Sequence, residues 1–131
     1  MEKKAYTINI PGKDHTKEAD YFGFASGKNE DKFAMTGLKP VKSDFVDAPY
    51  IDEFPLNLEC KVVKIADLGV HTQFIGEIVN VKIDGLIFEN SQKPIIEQIM
   101  PLLFAPGSSN YYTIGAEVGR AFSIGKGVKQ K

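Results

Sequence analysis

The sequence has few of the residues on which disulfide-rich, metal-binding and membrane-spanning proteins depend. Its single cysteine, Cys60, excludes an intramolecular disulfide and a cysteine metal cluster among the 131 residues. The two histidines, His15 and His71, have no partners at the spacing of a metal site. No apolar run is long enough to cross a bilayer, and the N-terminus has no apolar signal-peptide core. A cytoplasmic protein without a metal site is therefore expected, since disulfides are rare in that compartment.

The net charge is also small, at −1, so no overall field draws the chain toward nucleic acid or an anionic membrane. The sequence has neither a P-loop nor a GxGxxG motif after a strand, so any anion site has to be local. The hydrophobic and charged fractions, 43% and 25%, are those of an ordinary globular protein of one domain. Cys60 falls on the apolar side of an alternating segment, which favours a buried structural thiol over a catalytic one.

Three segments have the alternation of β-strands. Residues 5–11 alternate apolar and polar side chains and end at a Pro-Gly pair. Residues 56–69 and 70–84 alternate as well, and the short turn that joins them predicts a hairpin. Gly76 lies inside the last of these strands, a position typical of a bulge, a barrel corner or a close backbone approach.

Three short helices are predicted beside these strands. Thr16 caps the first helix and Gly27 ends it. Asn29 caps the second, with acidic residues in its first turn, and Gly37 ends it. The third has Pro94 near its first position and an apolar face behind it. Because strands dominate and the helices are short, the predicted class is mainly β, a small antiparallel β-barrel with helical insertions.

The stretch SGKNEDKF, residues 26–33, is the strongest candidate for a binding loop. Composition alone favours a solvated turn that leads into a helix. The alternative is an anion site, in which Lys28, Lys32 and free N–H groups at the helix start attract a phosphate, and Phe33 adds an apolar wall. Two acidic residues inside the loop oppose such a site. The residues by themselves leave both interpretations open.

Two aromatic groups also have alternative interpretations. His71 stands at a strand start beside hydrogen-bonding residues and Phe74, and is most simply a half-buried strand histidine rather than a catalyst. Tyr111 and Tyr112 are most simply packing aromatics with hydrated hydroxyls. Their alternative use is as the flat face of a ligand pocket.

Three long stretches, taken together, resemble the flavin reductase-like family, specifically its flavoredoxin type. They are residues 18–51, which contain SGKNEDKF, residues 58–84, which contain HTQFIGEI, and residues 111–126, which run from Tyr-Tyr to Phe-Ser-Ile-Gly-Lys. The resemblance implies an FMN-binding split barrel, usually a homodimer with flavin near the subunit interface. It also implies an oxidoreductase role in electron transfer or flavin reduction, with reduced nicotinamide or a redox protein as donor.

The same resemblance assigns part of the sequence to the flavin. The implied FMN neighbours are Ser26, Gly27, Lys28, Asn29, Lys32, Phe33, His71 and Phe74. No catalytic residue follows from it.

Family members have further strands before the segment equivalent to residues 3–11, and this sequence starts after them. We therefore expect a single domain over residues 1–131 that is incomplete at its N-terminus, binds FMN weakly or not at all, and has sheet edges that must be covered or paired. Two other functions stay open. One is a non-catalytic remnant of the fold that acts as a structural or interaction domain, and the other is an enzyme with a different ligand in the same barrel.

Overall fold

The computed structural model describes residues 4–85 and 95–130. Its strands are β1 (Ala5–Ile10), β2 (Pro40–Lys42), β3 (Pro49–Ile51), β4 (Leu56–Asp67), β5 (Thr72–Ile83), β6 (Leu103–Ala105) and β7 (Asn110–Tyr112). Its helices are α1 (Thr16–Phe24), α2 (Lys32–Thr36) and α3 (Ile96–Ile99), with 3-10 turns at Lys13–His15 and Ile124–Gln130. The predicted mainly β class with short helices is confirmed. Within the described ranges, no helix is long and apolar enough to span a membrane.

The largest element is a three-stranded antiparallel sheet in the order β1-β4-β5. The two long strands form the predicted hairpin, whose turn is closed by a bond of 2.8 Å from Leu68 N to His71 O. Two smaller antiparallel pairs, β2–β3 and β6–β7, complete the strand pairing of the described residues. All three strand predictions from alternation are therefore confirmed.

A bulge in β5 decides which of its side chains share a face. Glu59 pairs with Asn80, but the next residue of β4, Cys60, pairs with Ile78, so Val79 is an extra residue. With strict alternation, the apolar residues before Val79 and those after it would lie on opposite faces of the sheet. Because of the bulge, they lie on the same face. The apolar face carries Tyr6, Ile8, Ile10, Leu56, Leu58, Cys60, Phe74, Ile78, Val81 and Ile83.

The glycine in β5 lies opposite a second irregularity. Gly76 pairs with Val62, and the register then shifts before Lys64, which leaves Val63 as an extra residue in β4. A Cβ atom at Gly76 would overlap the Tyr6 side chain, since the ring Cζ would be only 2.8 Å away. Gly76 thus lies opposite a bulge, which is one of its predicted roles. The predicted close approach of backbone is not found, because the nearest group is the Tyr6 side chain.

The opposite face of the sheet buries polar groups. Glu59 is fully buried, and its carboxylate accepts hydrogen bonds from Phe45 N at 2.9 Å and from Asn80 Nδ2 at 3.2 Å. Asn57 is 3% exposed, and its Nδ2 donates to Ile51 O at 3.2 Å. These bonds hold the segment around β3 over the polar face, because they offset the cost of burying the Glu59 carboxylate and the Asn57 Nδ2 group. Asn57 Oδ1 is buried without a hydrogen-bond partner within the described residues.

A small apolar cluster lies beside this polar layer. Its buried members are Leu38, Ile51 and Phe54, and the rings of Phe22 and Phe33 pack against them. These two aromatic side chains come from α1 and α2, so the cluster fixes both helices against the rest of the fold.

Helix α1 has different ends from those predicted. Thr16 is already its first residue, and Thr16 Oγ1 donates to Lys13 O at 2.6 Å, so Thr16 is not the N-cap. The helix ends at Phe24, and Ala25 is extended, so Gly27 is not the C-cap. The preceding 3-10 turn supplies an acceptor for the threonine hydroxyl, which removes the side chain from the capping position.

Helix α3 is a single turn, shorter than the predicted third helix. It ends at Ile99, and its C-cap is Met100, whose φ of 46° is left-handed; Pro101 follows. Pro94, predicted near the first position of this helix, lies outside the described residues.

Candidate functional site

The end of α1 and the start of α2 are held together by an aromatic pair. Phe22 and Phe33 meet edge to face, with ring centroids 5.4 Å apart. Because both rings also pack on the apolar cluster, the ends of the loop that connects the helices are fixed. The loop is the SGKNEDKF stretch that the sequence singles out.

Ser26 organises the first half of this loop. Its carbonyl oxygen accepts hydrogen bonds from Asn29 N at 3.0 Å and Glu30 N at 3.2 Å. Its Oγ accepts a longer bond of 3.3 Å from Lys28 N. Three successive backbone N–H groups are therefore used inside the turn, and the side chains of Lys28 and Asn29 project from a defined backbone.

Asp31 rather than Asn29 caps α2. Its Oδ1 accepts hydrogen bonds from Phe33 N and Ala34 N, both at 3.1 Å. The prediction of an Asn29 cap is wrong, and so is the expectation that these N–H groups are free for a phosphate. The predicted end of the helix is confirmed, since Gly37 is the C-cap with a left-handed φ of 74°.

The two lysines of the loop are held differently. Lys32 Nζ donates to Phe22 O at 2.7 Å and lies 5.6 Å from the centroid of the Phe22 ring. Lys28 is exposed and makes no ion pair within residues 4–85 and 95–130. Lys32 therefore presents a positioned ammonium with two further N–H donors, and Lys28 presents an exposed one.

Glu30 is turned toward α1. It accepts a hydrogen bond from the Tyr21 hydroxyl. This bond raises the pKa of Tyr21 above its ordinary value, because the carboxylate stabilises the protonated phenol. One of the two acidic residues that oppose an anion site is thus engaged by a neighbouring side chain, and Asp31 is engaged by its own helix.

The loop and its two flanking phenylalanines line an open, shallow cleft of about 590 Å³. It is lined by Phe22, Gly27, Lys28, Asn29, Glu30, Asp31, Lys32 and Phe33. Five of the eight predicted site residues thus share one cleft, and Ser26 adjoins it through the turn. The sequence prediction does not include Phe22. Its position one turn before the loop, on the apolar side of a predicted helix, is the signal that could have found it.

His71 and Phe74 lie elsewhere, on the β4–β5 hairpin. His71 is exposed and contributes its carbonyl oxygen to the hairpin turn. Phe74 is on the apolar face of the sheet, and neither residue lines the cleft of the loop. Their assignment to the same ligand stays a prediction.

The tyrosine pair packs beside α1. The Tyr111 hydroxyl donates to Asp20 Oδ1 at 2.9 Å, and its ring centroid is 5.3 Å from that of Phe104. This carboxylate contact raises the pKa of Tyr111, whereas hydrogen bonds with Ser108 and Asn110 lower the pKa of Tyr112. The Tyr111 ring contacts Phe104 as the packing interpretation predicts, but its hydroxyl binds Asp20, and Tyr112 is 52% exposed. Cys60 is buried, and burial raises the pKa of its thiol, as expected of a structural cysteine.

No group of histidine, cysteine or carboxylate side chains within the described ranges is arranged to hold a metal ion. The candidate site is therefore the loop cleft, with its two ammonium groups and its aromatic wall.

The whole chain resembles several known proteins. The model of the flavin reductase like domain matches residues 1–113. The flavoredoxin of Desulfovibrio vulgaris (Miyazaki F) superposes with a TM-score of 0.89 and 46% identity, over 95% of this chain and 66% of that one. The flavoredoxin from Methanosarcina acetivorans gives a TM-score of 0.89 and 31% identity, over 97% and 67% of the two chains.

A similar solved structure from Shewanella frigidimarina is described as a flavin reductase with a split barrel domain, with a TM-score of 0.71 and 28% identity over 87% of this chain and 58% of that one. An uncharacterised protein of Archaeoglobus fulgidus is 38% identical over 76 residues, which are 58% of this chain and 43% of the relative. The chain spans about two thirds of the length of the flavoredoxins and less than half of the length of the Archaeoglobus fulgidus protein. These neighbours confirm the predicted split-barrel fold.

Proposed function

The chain belongs to the flavin reductase-like domain family, and we propose that it binds FMN in the cleft between α1 and α2 and acts in electron transfer or flavin reduction. One observation carries the proposal. The Lys32 ammonium is fixed between the carbonyl and the ring of Phe22 and keeps two N–H donors for a ligand. A positioned cation beside an aromatic wall suits a molecule that is anionic at one end and flat at the other.

The residues of the cleft fit the two parts of FMN. Lys32, Lys28 and the Asn29 amide are donors for a phosphate, and charge-assisted hydrogen bonds are the stronger class. Phe22 and Phe33 offer apolar surface to the ring system. The cleft of about 590 Å³ lies within the usual range for ligand pockets, about 300–1,000 Å³. The carboxylates of Glu30 and Asp31 each accept a hydrogen bond within the loop region, but both keep their charge and offset part of the lysine charge.

The bound flavin would supply the redox chemistry, and this chain would supply binding and orientation. The proposed electron donor is reduced nicotinamide or a redox protein, and the proposed compartment is the cytoplasm, where the thiol of Cys60 stays reduced. His71 and Phe74 are further proposed flavin neighbours from the resemblance.

We also propose a homodimer, since the apolar sheet face leaves Ile8, Ile78 and Val81 substantially exposed.

A second candidate function is a structural or interaction domain that holds no flavin. The charge balance of the cleft favours it, because Glu30 and Asp31 offset the two lysines and an anion would gain little net attraction. The capped start of α2 favours it as well, since its N–H groups are already used.

The absorbance spectrum of the purified chain, followed by titration of the apo protein with FMN, tests the two functions. The proposed function predicts flavin bands that survive gel filtration, or saturable quenching of FMN fluorescence. Riboflavin is the matched control, because it lacks the phosphate and should bind more weakly at a site built on lysines. Absence of binding by both compounds would favour the interaction domain.

A further inference from the structure

Three consecutive residues of α1 contact three other parts of the fold. Asp20 accepts a hydrogen bond of 2.9 Å from the Tyr111 hydroxyl. Phe22 packs against the apolar cluster. Between these two anchored residues, Tyr21 donates a hydrogen bond to the carboxylate of Glu30. The Tyr21 hydroxyl is therefore carried by a stretch of helix that is fixed on both sides.

The ring of Tyr21 is held in place as well. It meets the Phe24 ring edge to face, with centroids 5.2 Å apart. Both rings line a cavity of about 410 Å³ that shares no lining residue with the loop cleft. Glu30, in contrast, lines the loop cleft. The Tyr21–Glu30 bond thus directs the end of a cleft side chain toward a residue outside the cleft.

The two carboxylates of the cleft are held by different means. Asp31 accepts hydrogen bonds from two backbone N–H groups of α2, so its position follows from the helix itself. Glu30 is bonded to a side chain of another helix, and the bond depends on one hydroxyl group. Because the interaction of two charges weakens as they separate, Glu30 opposes an anion at the two lysines most strongly when its carboxylate can turn into the cleft.

We propose that Tyr21 is a positioning residue of the loop cleft. By holding the Glu30 carboxylate toward α1, it keeps that charge away from an anionic group bound at the two lysines. It thereby sets the preference of the cleft for a phosphorylated ligand over the neutral analogue. The same bond raises the pKa of the Tyr21 phenol, so the hydroxyl remains a donor. The inference rests on the proposed FMN site and adds a selectivity determinant that lies outside the cleft.

Tyr21→Phe is the direct test, because it removes the hydroxyl and keeps the ring that contacts Phe24. The dissociation constant for FMN should rise about three- to tenfold, since the Glu30 carboxylate becomes free to approach the bound phosphate. The constant for riboflavin, which has no phosphate, should change less than about twofold. Fluorescence titration of the full chain with each flavin measures both constants. An unchanged FMN constant, or equal weakening for both flavins, would overturn the proposal.

Two further variants separate the charge of Glu30 from the position of α1. In a Glu30→Gln background, Tyr21→Phe should change the FMN constant less than about twofold, because the released side chain is uncharged. Tyr111→Phe is the matched control. It also removes a bond between a tyrosine and a carboxylate of α1, but Asp20 does not line the cleft, so FMN binding should stay within about twofold. In either comparison, a loss as large as that of Tyr21→Phe alone would overturn the proposal.

Inorganic phosphate gives a readout that does not depend on flavin. Titrated into the isotopically labelled chain, it should shift the backbone amide NMR signals of residues 27–33, and Tyr21→Phe should weaken this binding about three- to tenfold. A chain that binds phosphate in this way but does not bind FMN would overturn the flavin function and support the role of Tyr21. FMN binding that is indifferent to Tyr21→Phe would overturn the inference alone. A chain that binds neither compound would overturn both.

Discussion

The two lysines of the loop cleft differ in how much side-chain conformational entropy each would lose on binding a ligand. Lys32 is already bonded to Phe22 O, so little side-chain entropy is lost when it binds an anion. Lys28 is exposed and would lose that entropy on binding. The same contact gives Lys32 a role in folding, which an exposed lysine at a helix start would not have.

Lys32→Ala should weaken FMN binding by about tenfold to a hundredfold, the equivalent of one charge-assisted hydrogen bond of about 1.5–3 kcal/mol. It should also lower the free energy of unfolding by about 0.5–1.5 kcal/mol, because the Phe22 carbonyl loses its donor. Lys28→Ala should weaken binding less than about fivefold and leave stability unchanged. FMN titration and urea denaturation measure the two effects.

Lys64→Ala is the matched control for that pair, because Lys64 is exposed on β4 and does not line the cleft. If Lys32→Ala and Lys64→Ala bind FMN equally well, the flavin does not use this loop.

Helix α2 depends strongly on the side chain of Asp31. It has only five residues, and Asp31 satisfies two of its N–H groups. Asp31→Ala should destabilise the chain by about 0.5–2 kcal/mol, the usual effect of losing an N-cap. Asn29→Ala should change the free energy of unfolding by less than about 0.5 kcal/mol. Equal effects of the two substitutions in urea denaturation would contradict the assignment of the cap.

The bulged strand β5 has its own weak point at Gly76. Gly76→Val should destabilise the chain by about 1–3 kcal/mol, because a side chain there overlaps the Tyr6 ring. The same substitution in a Tyr6→Ala background should destabilise less, since the overlap is gone. Thermal melts of the four chains give the coupling. A penalty that is independent of Tyr6 would show that backbone strain, not the ring, requires glycine.

The element boundaries show where sequence reasoning stops. Gly37 was predictable as a C-cap because glycine readily takes the left-handed conformation found there. The N-cap of α2 was not, since Asn29, Glu30 and Asp31 are consecutive and two of them can cap a helix. The choice depends on Ser26, whose carbonyl draws Asn29 and Glu30 into a turn and leaves Asp31 at the helix start.

At the scale of the whole molecule, the sheet has a polar face covered by the segment around β3 and an apolar face that leaves Ile8, Ile78 and Val81 substantially exposed. Alternation predicted the strands and the hairpin, and the family resemblance predicted the split barrel. Neither alternation nor the resemblance predicted that Asn57 and Glu59 are buried, because their burial depends on the loop around β3 folding over them. The loop cleft was predicted in five of its residues by resemblance, while its aromatic wall required the packing of α1 on α2.

Glu59 should therefore matter far more to the free energy of unfolding than its charge suggests. Glu59→Ala should destabilise the chain by about 1–3 kcal/mol, since it leaves the Phe45 N–H and the Asn80 amide without their acceptor. Glu77→Ala, at an exposed position of β5, should have an effect below about 0.5 kcal/mol. Hydrogen exchange should rise at residues 43–51 in the first variant. Unchanged exchange there would contradict the anchoring role.

The two extra residues of the hairpin, Val63 and Val79, also restrict how its strands can align. In a regular ladder, a slip of two residues keeps every side chain on its original face and differs little in energy. Here such a slip would leave Val63 and Val79 opposite different residues of the partner strand. Part of the apolar face of the sheet would then carry residues that now lie on its polar face. The strands themselves therefore disfavour neighbouring alignments. They add to the register that the short connecting turn imposes on the hairpin.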